Sequence, residues 1–377
     1  MVKTDREINA CGIIAEYNPF HRGHAYQIEK TRELTGCDVV VAVMSGNWVQ
    51  RGEPAIIDKW MRAETAVKHG VDLVLELPFP YAVQAASGFA RGGVKILQNA
   101  GVSYLSFGSE CGNLENLQEI ADSPVSPDHL RQSMAEGISF PRAYSLLTRE
   151  MGPNDILATA YLKELKNTSV RPVVVQRTSA YNDPELTETA SALAIRKALQ
   201  EHRDIGNTAF EKELLEHSFH NYLSLYYPYL RIFLTMTNRD TLCQYFLVSE
   251  GIEKLLIQQA ELNDTFEGFL SGCVNARYTR SRIQRTLVHI LCQVTKQEIQ
   301  ELPEYDVLRV LAFNDQGRQY LEQLKKKEVK IVSKYARNPL SWRNIELRST
   351  HLYTSVMPEE KRVYLNKREI QGPVFVR

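Results

Sequence analysis

Short apolar runs alternate with amphipathic stretches through the first half of the chain, and the two periods assign its elements. The run from Ile8 to Tyr17 predicts a buried strand, and a Pro-Phe turn leads from it to a helix over about His24 to Leu34. Asp38 to Met44, made largely of Val, Ala and Met, predicts a strand inside a sheet, because strands covered on both faces lose the apolar–polar alternation. Asp58 has the chemistry of an N-cap for a helix running to His69. The cycle repeats with a strand at Val71 to Glu76, a helix near Gln84 to Gln98 and a strand at Val102 to Phe107. Residues 113–166 read as several helices, Pro172 to Gln176 as a fifth strand and Thr189 to Leu199 as a further helix. This alternation predicts an α/β fold with a doubly wound parallel sheet and right-handed crossovers over residues 1–204.

Beyond residue 205 the period becomes helical, with Leu214, Leu215, Phe219, Leu223, Leu225 and Tyr226 forming a rough apolar stripe. A mostly helical second domain is expected over residues 205–377, with a small strand pair in Tyr364 to Val376. Two domains suit a chain of 377 residues, since single cores rarely grow past about 250–300 residues. No apolar run approaches the roughly 18–20 residues of a membrane span, and the N-terminus lacks an apolar stretch behind a basic start. No membrane partner and a cytoplasmic location are therefore expected. The six cysteines include no Cys-x-x-Cys pair and read as reduced and mostly structural, with Cys11 in the core.

The formal net charge is zero, yet residues 271–377 carry 20 Lys and Arg against 11 Asp and Glu. The rest of the chain is correspondingly acidic, so an anionic partner at the C-terminal end competes with a plain solvated face. The segment Arg277-Tyr278-Thr279-Arg280-Ser281-Arg282-Ile283-Gln284-Arg285 sharpens this, because its arginines suit phosphates and its ring suits base stacking. Lys325, Lys326, Lys327, Lys330, Lys334, Arg337, Arg343 and Arg348 extend the basic region. Arg277, Tyr278, Arg280, Arg282 and Arg285 are the candidate RNA-binding residues.

The segment Asn18-Pro19-Phe20-His21-Arg22-Gly23-His24 places a His-x-Gly-His tetrapeptide between the first strand and the first helix. Free backbone N–H groups and the helix dipole favour phosphate there, and the histidines can add donors. Near the last predicted helix lies Ser191-Ala192-Leu193-Ala194-Ile195-Arg196; taken alone, Ser191 and Arg196 read as an N-cap and a solvated helix arginine. The carboxylates Asp58, Asp72, Glu76 and Glu110 sit near strand ends, where Mg²⁺ would arrive with nucleotide phosphates. No protein ligand for a metal can be named. Lys59 and Arg62 suit either a leaving pyrophosphate or a solvated helix face.

The His-x-Gly-His segment, with the later Ser/Arg motif, resembles the nucleotidyltransferase superfamily. The longer set is similar to the bacterial tRNA(Met) cytidine acetate ligase family: Met44-Ser45-Gly46, Gln50-Arg51-Gly52-Glu53-Pro54-Ala55, Gly70 to Val74 with Glu76-Leu77-Pro78, Phe107-Gly108-Ser109-Glu110, Asn154 to Leu157, Arg177-Thr178-Ser179, Arg277 to Arg285 and Arg309 to Asn314. The resemblance covers nearly the whole chain. It departs in the Ser191 motif, where Leu193 and Ala194 replace the family's hydroxyl residues.

The resemblance implies an enzyme that joins ATP and acetate into acetyl-adenylate and acetylates N4 of the wobble cytidine in elongator methionine tRNA. It places nucleotide contacts on Ile13, Ile14, Ala15, Glu16, Tyr17, Asn18, Pro19, Phe20, His21, Gly23 and His24. Gly108, Asn154, Arg177, Ser191 and Arg196 complete that set, with His21, His24 and Arg196 stabilising reaction charge. A cofactor adenylyltransferase would use the same sheet but leave the basic region without work. A non-catalytic RNA-binding protein would explain the arginines but not the paired motifs.

Overall fold

The computed structural model describes residues 7–123, 151–177 and 190–377. The motif residues Thr178 and Ser179, Thr189 at the start of an expected helix, and the helices expected within residues 124–150 lie outside the described residues. The strands in chain order are β1 (Ala10–Ala15), β2 (Val39–Ser45), β3 (Trp48–Val49), β4 (Glu53–Pro54), β5 (Leu73–Leu77), β6 (Tyr104–Ser109), β7 (Arg171–Gln176), β8 (Leu308–Phe313), β9 (Ile331–Val332) and β10 (Val374–Phe375). β3 and β4 form a small hairpin, and the others share one sheet in the order β10-β8-β5-β2-β1-β6-β7, with β9 beside β8. Every pair in it is parallel except β5 with β8.

All seven residues of β2 are buried, and they feed two cores in alternation. Val39, Val41 and Val43 face one layer, while Val40, Ala42 and Met44 face the other. A fully buried valine contributes about 1.5–3 kcal/mol through this burial, so a strand with no polar residue before Ser45 is stable only in mid-sheet. From β1 the chain winds through β2 to β5, then returns to β6 and β7 on the other side of β1. The crevice beyond the carboxyl ends of β1 and β6 is therefore the switch point at which open α/β sheets take ligands. Helix α1 (Arg22–Thr35) starts at that edge, and α2 (Lys59–Lys68) follows the β3–β4 hairpin, capped by the Asp58 carboxylate accepting from the Trp60 and Met61 N–H groups.

The C-terminal half supplies helices and also completes the sheet, since β8, β9 and β10 all come from beyond residue 204. In place of a strand pair over Tyr364 to Val376, the chain forms the helix Glu359–Glu369 and the short β10. That helix is pinned by a ring of buried charges: Lys59 Nζ lies 2.6 Å from Glu76 and 2.8 Å from Glu369, and Arg309 lies 2.7 Å from Glu76 and 2.9 Å from Glu369. The four groups belong to α2, β5, β8 and the terminal helix. Further helices at Tyr227–Met236, Ile252–Leu262, Phe266–Cys273 and Arg280–Leu291 close a separate core around Leu230, Leu234, Leu256, Phe269, Ile283 and Leu287. All six cysteines are free, and no helix among the described residues is long and apolar enough to cross a membrane.

Candidate active site

His21 is the N-cap of α1, and its ring folds back so that Nδ1 accepts from the Gly23 N–H at 3.0 Å. His24 reaches back in turn, its Nδ1 accepting from the His21 N–H at 3.2 Å. A neutral imidazole that accepts at Nδ1 carries its proton on Nε2, so each ring keeps one N–H donor for a ligand. Both rings are held neutral. Burial, helped by the charges of Arg177 and Arg196, lowers His21 to about 3, and burial with His21 and Arg177 nearby lowers His24 well below the usual imidazole range. Gly23 is required here, because a Cβ would stand 2.9 Å from His21 Cε1.

This capping changes the expectation of free backbone donors. The first N–H groups of α1 are used internally: Arg22 N–H by the Thr208 carbonyl, Gly23 N–H by His21 Nδ1, and His24 N–H by the His21 carbonyl. Anion binding therefore falls to the Nε2–H groups, the arginines and the helix dipole. The preceding loop is anchored rather than exposed. Ile13, Tyr17, Asn18, Pro19 and Phe20 are buried, with Tyr17 packed edge-on against Phe20 and His24, whereas Ile14, Ala15 and Glu16 are half-buried. The Asn18 Oδ1 accepts from the Ile56 N–H at 2.8 Å, and Glu16 accepts from the Gln50 N–H at 2.8 Å.

Two arginines arrive from distant elements. Arg196 Nη1 donates to the Asn18 carbonyl at 2.8 Å and Nη2 lies 3.9 Å from Glu53, tying the helix Ala192–Gln200 to the histidine loop. Arg177 follows β7 and lies over Gly108, whose added Cβ would meet the arginine's Cγ at 3.4 Å. Tyr17 Oη, Asn18 Nδ2 and Arg177 Nε are buried without a partner among the described residues. Together with two Nε2–H groups these make a donor-rich set that fits phosphate esters. On the β6 side, Asn154 stands in the first turn of the helix Pro153–Leu165 and donates from Nδ2 to Glu110 at 2.5 Å.

Several expected contributors lie elsewhere. Lys59 belongs to the buried charge ring, and the equally buried Arg62 donates to the carbonyls of Glu16, Ser45, Gly46 and Ile57. Neither is free for a pyrophosphate, and neither is a solvated helix charge. The Ser191 hydroxyl caps its own helix by accepting from the Ala194 N–H at 3.2 Å, while Leu193 is exposed. Asp58, Asp72, Glu76 and Glu110 all accept from protein donors, and no group of three His, Cys, Asp or Glu among the described residues could hold a metal ion.

The basic segment divides. Tyr278 and Arg285 are buried: the Tyr278 hydroxyl donates to the Glu250 carbonyl at 2.5 Å, and Arg285 packs where Gly52 lets the hairpin loop approach the helix backbone. Burial lowers Arg285 to about 10. Tyr278 is thus no accessible stacking ring. Arg277 is exposed, Arg280 is half-exposed in a pair of 2.8 Å bonds with Glu267, and Arg282 pairs with Glu250 at 3.1 Å. Two acids have roles that local sequence does not announce: Glu53 accepts from Gln284 at 2.9 Å and so links this helix to Arg196, and Glu110 grips Asn154. Both acids stood within motifs, but their long-range partners left no local signal.

Residues 8–368 match the model of the HIGH Nucleotidyl Transferase family. The chain is 35% identical over 399 residues to the tRNA(Met) cytidine acetate ligase of Caldicellulosiruptor saccharolyticus, covering 98% of this chain and 99% of that protein. Among solved structures it is similar to apo Thermotoga maritima TmcAL (TM-score 0.90, 29% identity, 98% of this chain and 100% of that one). It is also similar to TmcAL bound with alpha-thio ATP (TM-score 0.87, 28% identity, the same coverage). With its paired histidines at the switch point of the sheet and a match along its whole length, the chain belongs to the tRNA(Met) cytidine acetate ligase family of HIGH nucleotidyl transferases.

Proposed function

We propose that this chain condenses acetate with ATP into acetyl-adenylate and passes the acetyl group to N4 of the wobble cytidine of elongator methionine tRNA. The observation that carries this reading is the pair of neutral imidazoles at the start of α1, each with its Nε2–H available and with Arg177 and Arg196 within electrostatic reach. In the first step a carboxylate oxygen of acetate bonds to the α-phosphorus, the bond to the bridging oxygen breaks, and pyrophosphate leaves with the electron pair. His21 and His24 donate to phosphate oxygens, and Arg177 and Arg196 offset the charge that gathers on the departing group.

In the second step the cytidine N4 attacks the acetyl carbonyl carbon, the carbonyl carbon's bond to the adenylate oxygen breaks, AMP leaves, and N4 gives up a proton. An aromatic amine is a weak nucleophile, so alignment supplies most of the rate. Mg²⁺ would travel with the ATP phosphates and keep most of its waters, which fits carboxylates already engaged by protein donors. Arg277, Arg280 and Arg282 offer the tRNA backbone a basic face, and the cytoplasm is where ATP, acetate and tRNA meet. Incubation with ATP, labelled acetate and bulk tRNA tests this reading: label should enter RNA only when ATP is present, and label-free RNA would overturn it.

A further inference from the structure

We infer that Glu110 is a positioning residue that fixes the side-chain amide of Asn154 in one of its two orientations, so that the site reads a hydrogen-bond donor on the nucleoside part of ATP. This rests on the proposed reading that ATP is the nucleotide bound. A carboxylate oxygen can only accept, and Glu110 Oε1 lies 2.5 Å from Asn154 Nδ2 and 3.3 Å from the Asn154 backbone N–H. Its second oxygen accepts from the Asp155 N–H at 2.9 Å. One N–H of the Asn154 amide is thereby given to Glu110, the amide cannot turn over without setting its own oxygen against the carboxylate, and Oδ1 is left as an acceptor to which no described residue donates.

The surroundings keep this arrangement from turning over. Asp155 Oδ1 accepts from the Ser109 hydroxyl at 2.5 Å and from the Glu110 N–H at 2.9 Å, which locks the end of β6 to the start of the helix Pro153–Leu165. Gly152 completes the seat, since a Cβ there would stand 2.6 Å from the Glu110 carboxyl carbon. The histidines lie beyond β1 and Asn154 lies beyond β6, the neighbouring strand. A nucleotide with its phosphates at His21 and His24 thus runs its ribose or base past Asn154. An acceptor there pairs with a ribose hydroxyl or with the exocyclic amine of adenine, and it repels a carbonyl in that place.

The test is direct calorimetric binding of ATP, of ITP, which carries a carbonyl where adenine has its amine, and of 2′-deoxy-ATP. Wild-type protein should prefer ATP to one of the two analogues by about tenfold or more, and the analogue that loses identifies the donor. In Glu110→Ala the carboxylate that holds the amide is gone and Asn154 can turn over, so that preference should shrink towards one. In Asn154→Ala the preference should also vanish, and adding Glu110→Ala should then change nothing further. Equal weakening towards all three nucleotides, a preference retained in Asn154→Ala, or an additional loss in the double variant would each overturn the assignment. Should wild-type protein bind no ATP, the proposed function fails and takes this inference with it; wild-type ATP binding with an unmoved preference defeats the inference alone.

Discussion

The imidazoles of His21 and His24 stack with centroids 3.7 Å apart, and each turns its Nδ1 to a backbone N–H of the same helix start. One pair of side chains thereby does the work of an N-cap and presents two Nε2–H donors on the ligand edge of the sheet. Cap and reaction can be separated by substitution. His21→Asn keeps a side-chain acceptor suited to an N-cap but is too short to place an N–H where the imidazole Nε2 stands. It should unfold close to the wild-type temperature while adenylate formation falls about 100-fold or more, as when a positioned transition-state donor is lost. Normal turnover would show that His21 only caps the helix.

Lys59 separates structure from chemistry in the opposite sense. Its ammonium is buried between Glu76 and Glu369, so Lys59→Met leaves two carboxylates short of a partner. Removing one member of such a cluster costs about 3–5 kcal/mol, which urea unfolding would measure, whereas ATP affinity of the folded variant should stay at the wild-type value. Unchanged stability with weakened ATP binding would return Lys59 to the phosphate site.

The first half of the fold was legible because its signals are local. The expected strand Asp38 to Met44 is β2 within one residue at each end, and Asp58 caps α2 as its chemistry suggests. β8 carries no strand signal of its own in a stretch of helical period, although Arg309 to Asn314 falls within a motif. Three of the six residues of β8 pair antiparallel with β5 across more than two hundred positions, and that partner cannot be inferred from local periodicity. Within the site, the histidines stand out because a strand–loop–helix junction fixes where they lie, whereas Arg196 taken alone reads as a solvated helix charge and enters only through the resemblance, since its bond to the Asn18 carbonyl leaves no local signal. For Lys59, Arg62, Tyr278 and Arg285 the sequence points the wrong way, because charge and aromaticity suggest solvent or ligand. Their burial depends on partners such as Glu369 and the Glu250 carbonyl, far away or on another element.

Glu346 predicts a pH effect. Burial, with Glu76 adding to it against the opposing charges of Lys59 and Arg309, pushes its carboxyl up to about 8, while one oxygen accepts from the Phe79 N–H at 2.6 Å. A carboxyl that holds its proton more tightly when folded favours the fold at low pH, and that contribution is lost as pH rises from about 4.5 towards 8. Glu346→Gln keeps the acceptor and does not titrate. Its unfolding free energy should therefore gain on the wild type between pH 5 and pH 9, and a constant difference across that range would contradict the assignment.

The basic face should act on RNA alone. Replacing Arg277, Arg280 and Arg282 together with alanine, and sparing the buried Arg285, should weaken tRNA binding and acetyl transfer but leave ATP affinity unchanged. Each lost phosphate contact should flatten the dependence of log affinity on log salt by about 0.7–0.9. A triple variant with the wild-type salt slope would place the RNA on another surface.

On the proposed function, one site activates acetate with ATP before any RNA is involved. Exchange of labelled pyrophosphate into ATP, measured without tRNA and with or without acetate, tests it most directly. Acetate-dependent exchange that disappears in His21→Asn is the predicted result. Exchange that ignores acetate, or none at all from protein that still acetylates tRNA, would contradict it.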